Sequence, residues 1–375
     1  MGNDQHGVLA AVRALRAAGY APWLAVDKRG TYAGRSRATA GTVVIPNPDL
    51  DSEGFVRKLA NDAMRHSVAA VLPSADSHFL ALAGRDADFA GIALGTPSRE
   101  SIDRATDKAL LTELAAASGL RTPPTERVVR GDAKAVGAFG FPAVVKPLRS
   151  RVKNPDGTVS TYSARWVTPD QTEQALDSLG DREGLVQPYI PGDLISVSGV
   201  SWGGELVCAL HQVSIRIWPV PVGGSAYAET IPPNLQLERG VGRLLQRLGW
   251  SGLYQLQFIR NSRGEHFLID LNPRVYGSLA LATAAGLNLP GIWTDLLLGR
   301  RPEGAGYRVG VRFRQEENDA RALARLLLMG GSRWHALRGL LPRRDTTHAI
   351  FSIRDPMPVL TSAAKLTRLK RGEGG

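Results

Sequence analysis

The 375-residue sequence holds one cysteine, Cys208. That excludes a disulfide framework and any cysteine-based zinc site. It suits a reducing compartment, so a cytoplasmic location is expected. No basic, apolar leader opens the chain, and no signal peptide is read. Long apolar runs are also missing. The longest charge-free stretch near the end of the core, residues 275–294, is interrupted by Ser278, Thr283, Asn288, Pro290 and three glycines. It reads as a buried helix followed by a loop rather than a membrane span. Lysine is scarce as well, with 8 lysines against 38 arginines, so the context of each lysine is informative.

With 43% apolar and 22% charged residues, the composition is that of a globular protein, not a disordered or collagen-like chain. The net charge of +11 is concentrated at one end. Residues 300–375 hold sixteen basic and seven acidic side chains and so contribute +9 of it. This excess is read as a solvated arginine-rich face on a docked segment. No nucleic-acid or membrane partner is expected.

The chain divides into three parts. Residues 1–97 alternate short strands and helices, which indicates a doubly wound parallel sheet. This unit opens on Gly-Asn-Asp-Gln-His-Gly, a segment like the loop after a first strand, and the strand itself is missing. A start placed too late explains this better than a fold without its central strand, which would expose unpaired backbone. Residues 98–300 form the core, with a small lobe at about 125–190 and a large lobe at about 191–300. A helix is predicted over 106–119, a strand over 143–146, a mobile polar loop over 149–160, and an antiparallel hairpin over 253–259 and 266–271. Residues 301–375 form a basic extension packed on the core. Within it, a helix over 318–329 presents Leu323, Leu326, Leu327 and Met329, and a strand covers 349–353.

The hairpin carries the most chemistry. Asp270 and Asn272 are two apart on one strand and share a face, with Gln257 as a cross-strand neighbour. Three hard oxygen ligands suit Mg²⁺ held between protein and phosphates. Arg274 follows as a cation for a phosphoryl group in transfer. Lys146 sits in an apolar strand, where an ammonium is costly without an anionic partner. Lys108 opens a helix. Arg216 and the loop Gly223, Gly224 and Ser225 are candidates for holding a substrate carboxylate. Cys208 and His211 read as packed strand residues.

The run FLIDLNPRVYGSLALATAAGLNLP resembles the end of the nucleotide-binding core of the ATP-grasp superfamily. FPAVVKP, TDKALLTELAAASGLRTPPT and LVQPYIPGD match further segments in that superfamily's order, and together the resemblance covers about residues 20–300. The nearer likeness is to carboxylate–amine ligases resembling half of a carbamoyl-phosphate synthase large subunit; SIRIWPVPVGGSAYAET is similar to that branch. The family usually has Glu at Gln257, though the carbamoyl-phosphate synthase type has Gln. It also has Glu at Pro188. The resemblance implies an α/β fold with a pre-ATP-grasp domain and a two-lobed α+β core. It implies ATP contacts at Lys108, Lys146, Gln187, Tyr189, Ile190 and Asp193, metal ligands at Gln257, Asp270 and Asn272 for Mg²⁺ or Mn²⁺, and a catalytic Arg274. The implied reaction joins a small-molecule carboxylate to an amine through an acyl phosphate. Assembly into a homodimer is left open as an expectation. Activation of bicarbonate, or a nucleotide-binding module without turnover, are the alternatives.

Overall fold

The structure, a computed structural model, describes residues 6–153, 159–302, 306–328 and 343–370, of which 153 and 364–370 as backbone alone. The first unit runs α1 (His6–Ala17), β1 (Trp23–Val26), β2 (Gly41–Val44), α2 (Ser52–Arg65), β3 (Ala70–Val71), α3 (Asp76–Leu82) and β4 (Ala93–Leu94). α2 starts where the Asp51 carboxylate accepts the Gly54 amide at 2.8 Å, and it buries Phe55, Val56, Leu59, Ala60 and Ala63 on one face. The strands are parallel, but they form two separate pairs, β1 with β2 and β3 with β4.

Next come α4 (Arg99–Thr106) and α5 (Lys108–Ala117). The single helix expected over 106–119 is divided because Asp107 is extended. Its carboxylate accepts the Ala109 and Leu110 amides and caps a new helix. Then follow β5 (Glu126–Val128), α6 (Ala133–Gly137), β6 (Ala143–Pro147), β7 (Arg151–Lys153), β8 (Val159–Thr161), β9 (Arg165–Val167), α7 (Thr172–Asp177) and β10 (Gly184–Pro188). β5, β10, β6 and β9 form an antiparallel sheet in that order. The stretch expected to be a mobile loop has paired ends: β7 and β8 are a hairpin, and Arg151 reaches Asp49 at 2.5 Å. Residues 154–158 of that expectation lie outside the described residues.

The rest is built on β11 (Asp193–Trp202), β12 (Glu205–Trp218), β13 (Gly224–Thr230), α8 (Leu235–Leu248), β14 (Gly252–Arg260), β15 (His266–Asn272), α9 (Leu279–Ala284), α10 (Leu289–Leu297), β16 (Arg312–Arg314), α11 (Glu316–Leu328), β17 (Thr346–His348) and α12 (Met357–Lys370). Seven strands pair in the order β15, β14, β11, β12, β13, β16, β17. One face packs Ile195, Val197, Leu256 and Phe258 against Leu237, Val241 and Leu244 of α8. The helix expected over 275–294 is two helices, parted at Gly286, whose φ of +103° suits glycine.

Val311 and Phe313 are buried in the same cluster as Leu279 and Leu281, so β16 closes the core. The strand expected at 349–353 lies earlier, as β17. Of the expected helical face, Leu323 is buried while Leu326 and Leu327 are exposed, and Met329 lies outside the described residues. The last segment returns to the first helix. Asp355 accepts hydrogen bonds from the Ser36 hydroxyl (2.6 Å), the Arg37 amide (2.9 Å) and the Arg13 guanidinium (2.9 Å). Burial alone would raise its pKa, but these donors hold it below the usual carboxylate range. Among the described residues no helix is long and apolar enough to cross a membrane.

Candidate active site

Alternation on the large sheet places a row of polar residues on the face away from α8. Asp270, Gln257, Ser196, Gln212 and Thr230 are successive register partners on β15, β14, β11, β12 and β13. Register partners put their side chains on one face. Asn272, Gln255 and Ser198 form the next row along the strands. Asn272 donates to the Gln255 carboxamide at 3.3 Å, and Gln212 donates to Ser278 at 3.1 Å. The Ser196 hydroxyl is buried and has no partner among the described residues. A buried polar row of this kind is costly to a fold unless it is satisfied from the open side.

Lys146 meets this row from the other lobe. On β6, Val145 packs with Leu176 and Val186, so Lys146 points the opposite way. Its side chain is 8% exposed, and Nζ donates to the Ile269 carbonyl of β15 at 2.9 Å. Burial pushes its pKa down to about 8; Asp270 acts in the opposite sense, and Lys108 lowers it further. Lys108 donates to the Ser150 hydroxyl at 2.7 Å. Arg274 is held by both oxygens of Asp76, each at 3.0 Å, at the start of α3. Lys146, Asp270, Asn272 and Gln257 are thus brought together, with Arg274 two residues beyond Asn272.

The other expected residues are engaged differently. Gln187 is buried and donates to Thr125 at 2.9 Å, so its carboxamide is used inside the small lobe. The Tyr189 amide donates to the Pro142 carbonyl at 3.1 Å, and Ile190 is half-buried. Asp193 is paired with Arg260 at 2.6 Å on the surface. Arg216 makes a two-pronged contact with Asp319 of α11, at 2.5 and 3.0 Å, and lies over the Tyr227 ring. Arg314 reaches the same carboxylate at 3.1 Å. Two guanidiniums therefore share one buried carboxylate. A Cβ on Gly223 would fall 2.1 Å from the Trp218 carbonyl carbon. Gly224 and Ser225 begin β13 rather than lying in a loop, and the Ser225 hydroxyl is 2.6 Å from that of Ser214.

The sequence reading missed Gln255, Ser196, Ser198, Gln212 and Asp319. Ser-x-Ser and Gln-x-Gln at a spacing of two were visible signals once both segments were read as strands. Asp319 gave none, since its role depends on where α11 docks.

Lys146 is therefore a buried ammonium that bridges the two larger sheets beside a carboxylate–carboxamide row. Comparison with known proteins gives this arrangement a context. Residues 181–318 match the family described as "ATP-grasp in the biosynthetic pathway with Ter operon". That segment of the chain is similar to ATP-grasp proteins. Over 219 residues it is 26% identical to the carbamoyl phosphate synthase large chain, C-terminal section, of Aquifex aeolicus, covering 55% of this chain and 39% of that one. The chain thus spans about two-fifths of that relative's length. Its fold is similar to that of the biotin carboxylase domain of the Hydrogenobacter thermophilus 2-oxoglutarate carboxylase, solved with MgADP, ADP and bicarbonate (TM-score 0.61, 14% identity, 83% of this chain and 72% of that one). It is likewise similar to the L-amino acid ligase of Bacillus licheniformis (TM-score 0.58, 13% identity, 78% and 72%).

Proposed function

We propose that the protein is an ATP-dependent carboxylate–amine ligase. The observation that carries this reading is the Lys146 ammonium, buried and desolvated within reach of the strand bearing Asp270 and Asn272. A cation so placed gains a partner when phosphate oxygens enter between the lobes. One oxygen of the substrate carboxylate attacks the γ-phosphorus, and the bond to ADP breaks. The amine nitrogen then attacks the acyl carbon, phosphate leaves with the carbon–oxygen electron pair, and the nitrogen loses a proton. Lys146 and Arg274 offset the charge in transfer, chemistry that depends on positioning and electrostatics. No covalent nucleophile is needed. Cys208 is unsuited to that role, since burial raises its thiol pKa to about 11.

Asp270, Gln257 and Asn272 offer one carboxylate and two carboxamide oxygens. Among the described residues no group of three His, Cys, Asp or Glu side chains is placed for a metal. Such a hard, low-charge set fits Mg²⁺ that completes its shell with phosphate and water oxygens. The ion would supply charge neutralisation on the nucleotide.

Likeness to an amino acid ligase supports an amide-forming reaction. Likeness to the carbamoyl phosphate synthase section, and to a biotin carboxylase solved with bicarbonate, supports bicarbonate as a second reading. ADP release measured across a panel of carboxylates and amines, and with bicarbonate alone, tests both. Release that requires a carboxylate with an amine supports the ligase. Release with bicarbonate alone supports the second reading, and no release in any mixture refutes both.

A further inference from the structure

The wall of the small lobe that faces the cleft ends in a carboxamide whose orientation its neighbours fix. By alternation and register, Val144 and Lys146 of β6 share one face of that sheet with their partners Gln187 and Leu185 of β10. Val144 and Leu185 are buried outside the cluster of Val145, Leu176 and Val186, so this face looks toward the large lobe, where Lys146 meets Ile269. An apolar strip thus runs from the Lys146 ammonium to the Gln187 carboxamide. Gln187 is buried, and its Nε2 donates to the Thr125 hydroxyl oxygen at 2.9 Å. The Thr125 hydroxyl in turn donates to the Pro123 carbonyl at 2.8 Å. A hydroxyl has one proton, and a carbonyl can only accept. The Thr125 proton is therefore committed to Pro123, and toward Gln187 the threonine is an acceptor alone. Turned the other way, the carboxamide would claim that proton and leave two acceptor oxygens 2.8 Å apart with nothing between them. The chain Pro123–Thr125–Gln187 thus runs one way and turns the Gln187 Oε1 away from Thr125. Among the described residues that oxygen accepts no hydrogen bond.

We propose that Thr125 is a positioning residue for nucleotide selection. By holding the Gln187 oxygen as a fixed acceptor, it makes the site take a purine with a 6-amino group and reject its 6-oxo counterpart. The inference rests on the nucleotide reading given above and adds the residue that decides which base is used. Adenine presents an N6 amine, a donor, whereas a 6-oxo purine such as guanine presents O6, an acceptor. Against a fixed acceptor the first makes a hydrogen bond. The second sets the lone pairs of two oxygens against each other in a buried place. A carboxylate accepts whichever way it turns, but a carboxamide offers a donor or an acceptor according to its rotation. Gln187 alone is therefore indifferent to the base, and the discrimination comes from Thr125, one side chain further out. The strip of Val144 and Leu185 suits the face of a ring, and Lys146 at its far end suits the phosphates.

The test titrates the full chain and its variants with Mg·ATP and with Mg·ITP, whose base carries a 6-oxo group in place of the amine, and reads both dissociation constants by calorimetry. Wild type should bind ATP about tenfold or more tightly than ITP. Thr125→Val keeps the branched shape and loses the hydroxyl, so that ratio should fall about tenfold, with ATP weakened and ITP tightened. Thr125→Ser keeps the hydroxyl and should keep the ratio. In Gln187→Glu the acceptor needs no orienting, so adding Thr125→Val there should leave the preference for ATP unchanged; a preference lost there overturns the proposal. A merely structural role for Thr125 would weaken both nucleotides together in Thr125→Val at a constant ratio, and that result also overturns it. So does equal binding of ATP and ITP by wild type. These results leave the ligase reading standing, since its own test is ADP release. Binding of neither nucleotide by wild type overturns that reading and this inference together.

Discussion

Replacing Lys146 by methionine should stabilise the fold while abolishing turnover. Burial takes the amine from 10.5 to about 8. At roughly 1.4 kcal/mol per unit, the folded state disfavours the charged form by about 3 kcal/mol. The sign follows from proton binding. Below pH 8 both folded and unfolded chains hold the proton, and the folded state carries the full penalty. Between pH 8 and 10.5 the folded amine releases its proton while the unfolded one keeps it, so stability rises with pH and then levels. Methionine fills the same channel without charge but leaves the Ile269 carbonyl without its donor, which costs about 1 kcal/mol. The net gain at pH 7 is about 2 kcal/mol. Urea unfolding at pH 7 and pH 10 reads it. The variant should have the higher midpoint at pH 7, and its advantage should shrink by pH 10. A variant less stable at pH 7 that keeps the wild-type pH dependence, or one that still releases ADP at the normal rate, would refute the reasoning.

Three further outcomes are expected. Asp270→Asn should weaken Mg·ATP binding by removing the one charged oxygen of its row, and calorimetry at several Mg²⁺ concentrations checks this; unchanged metal dependence would move the site elsewhere. Burial lowers the pKa of His78 to about 4, with Asp49 acting against the shift. The unfolded chain therefore takes up a proton first, and stability should fall as pH drops from 6.5 toward 4; His78→Phe should flatten that slope in thermal melts. Truncation after Arg300 removes Val311 and Phe313 from the core and Asp319 from Arg216, a loss of roughly 5 kcal/mol or more. It should yield insoluble protein, and a soluble, active truncation that leaves the full chain binding duplex DNA would restore the electrostatic view of the basic segment.

Much of the hairpin was legible because its chemistry lies along single strands. Asp270 and Asn272 share a face by alternation alone, and the short Asn-Ser-Arg-Gly turn puts Gln257 opposite Asp270. Lys146 was legible through its cost, since it follows Val144 and Val145 in an apolar strand. What was hidden depends on docking between distant segments. Arg216 looks free for a carboxylate until α11 delivers Asp319 to it, 103 residues away. Helix boundaries failed where one side chain overrode propensity, as at Asp107, which caps a helix that periodicity carries straight through. The paired ends of the 149–160 segment were masked by polar composition, though the Asp49 contact of Arg151 fixes one of them.

The Asp355 clasp also sets a timetable. Arg13 lies 342 residues before its partner. At about 5–20 residues per second, a ribosome needs roughly 20–70 s to cross that interval. For all that time Arg13 and the Ser36–Arg37 corner stand without the carboxylate that later neutralises and covers them. The segment around Arg13 and Ser36 is thus finished only after Asp355 has been made. Until then the nascent chain carries a basic surface that only a segment made 342 residues later can close.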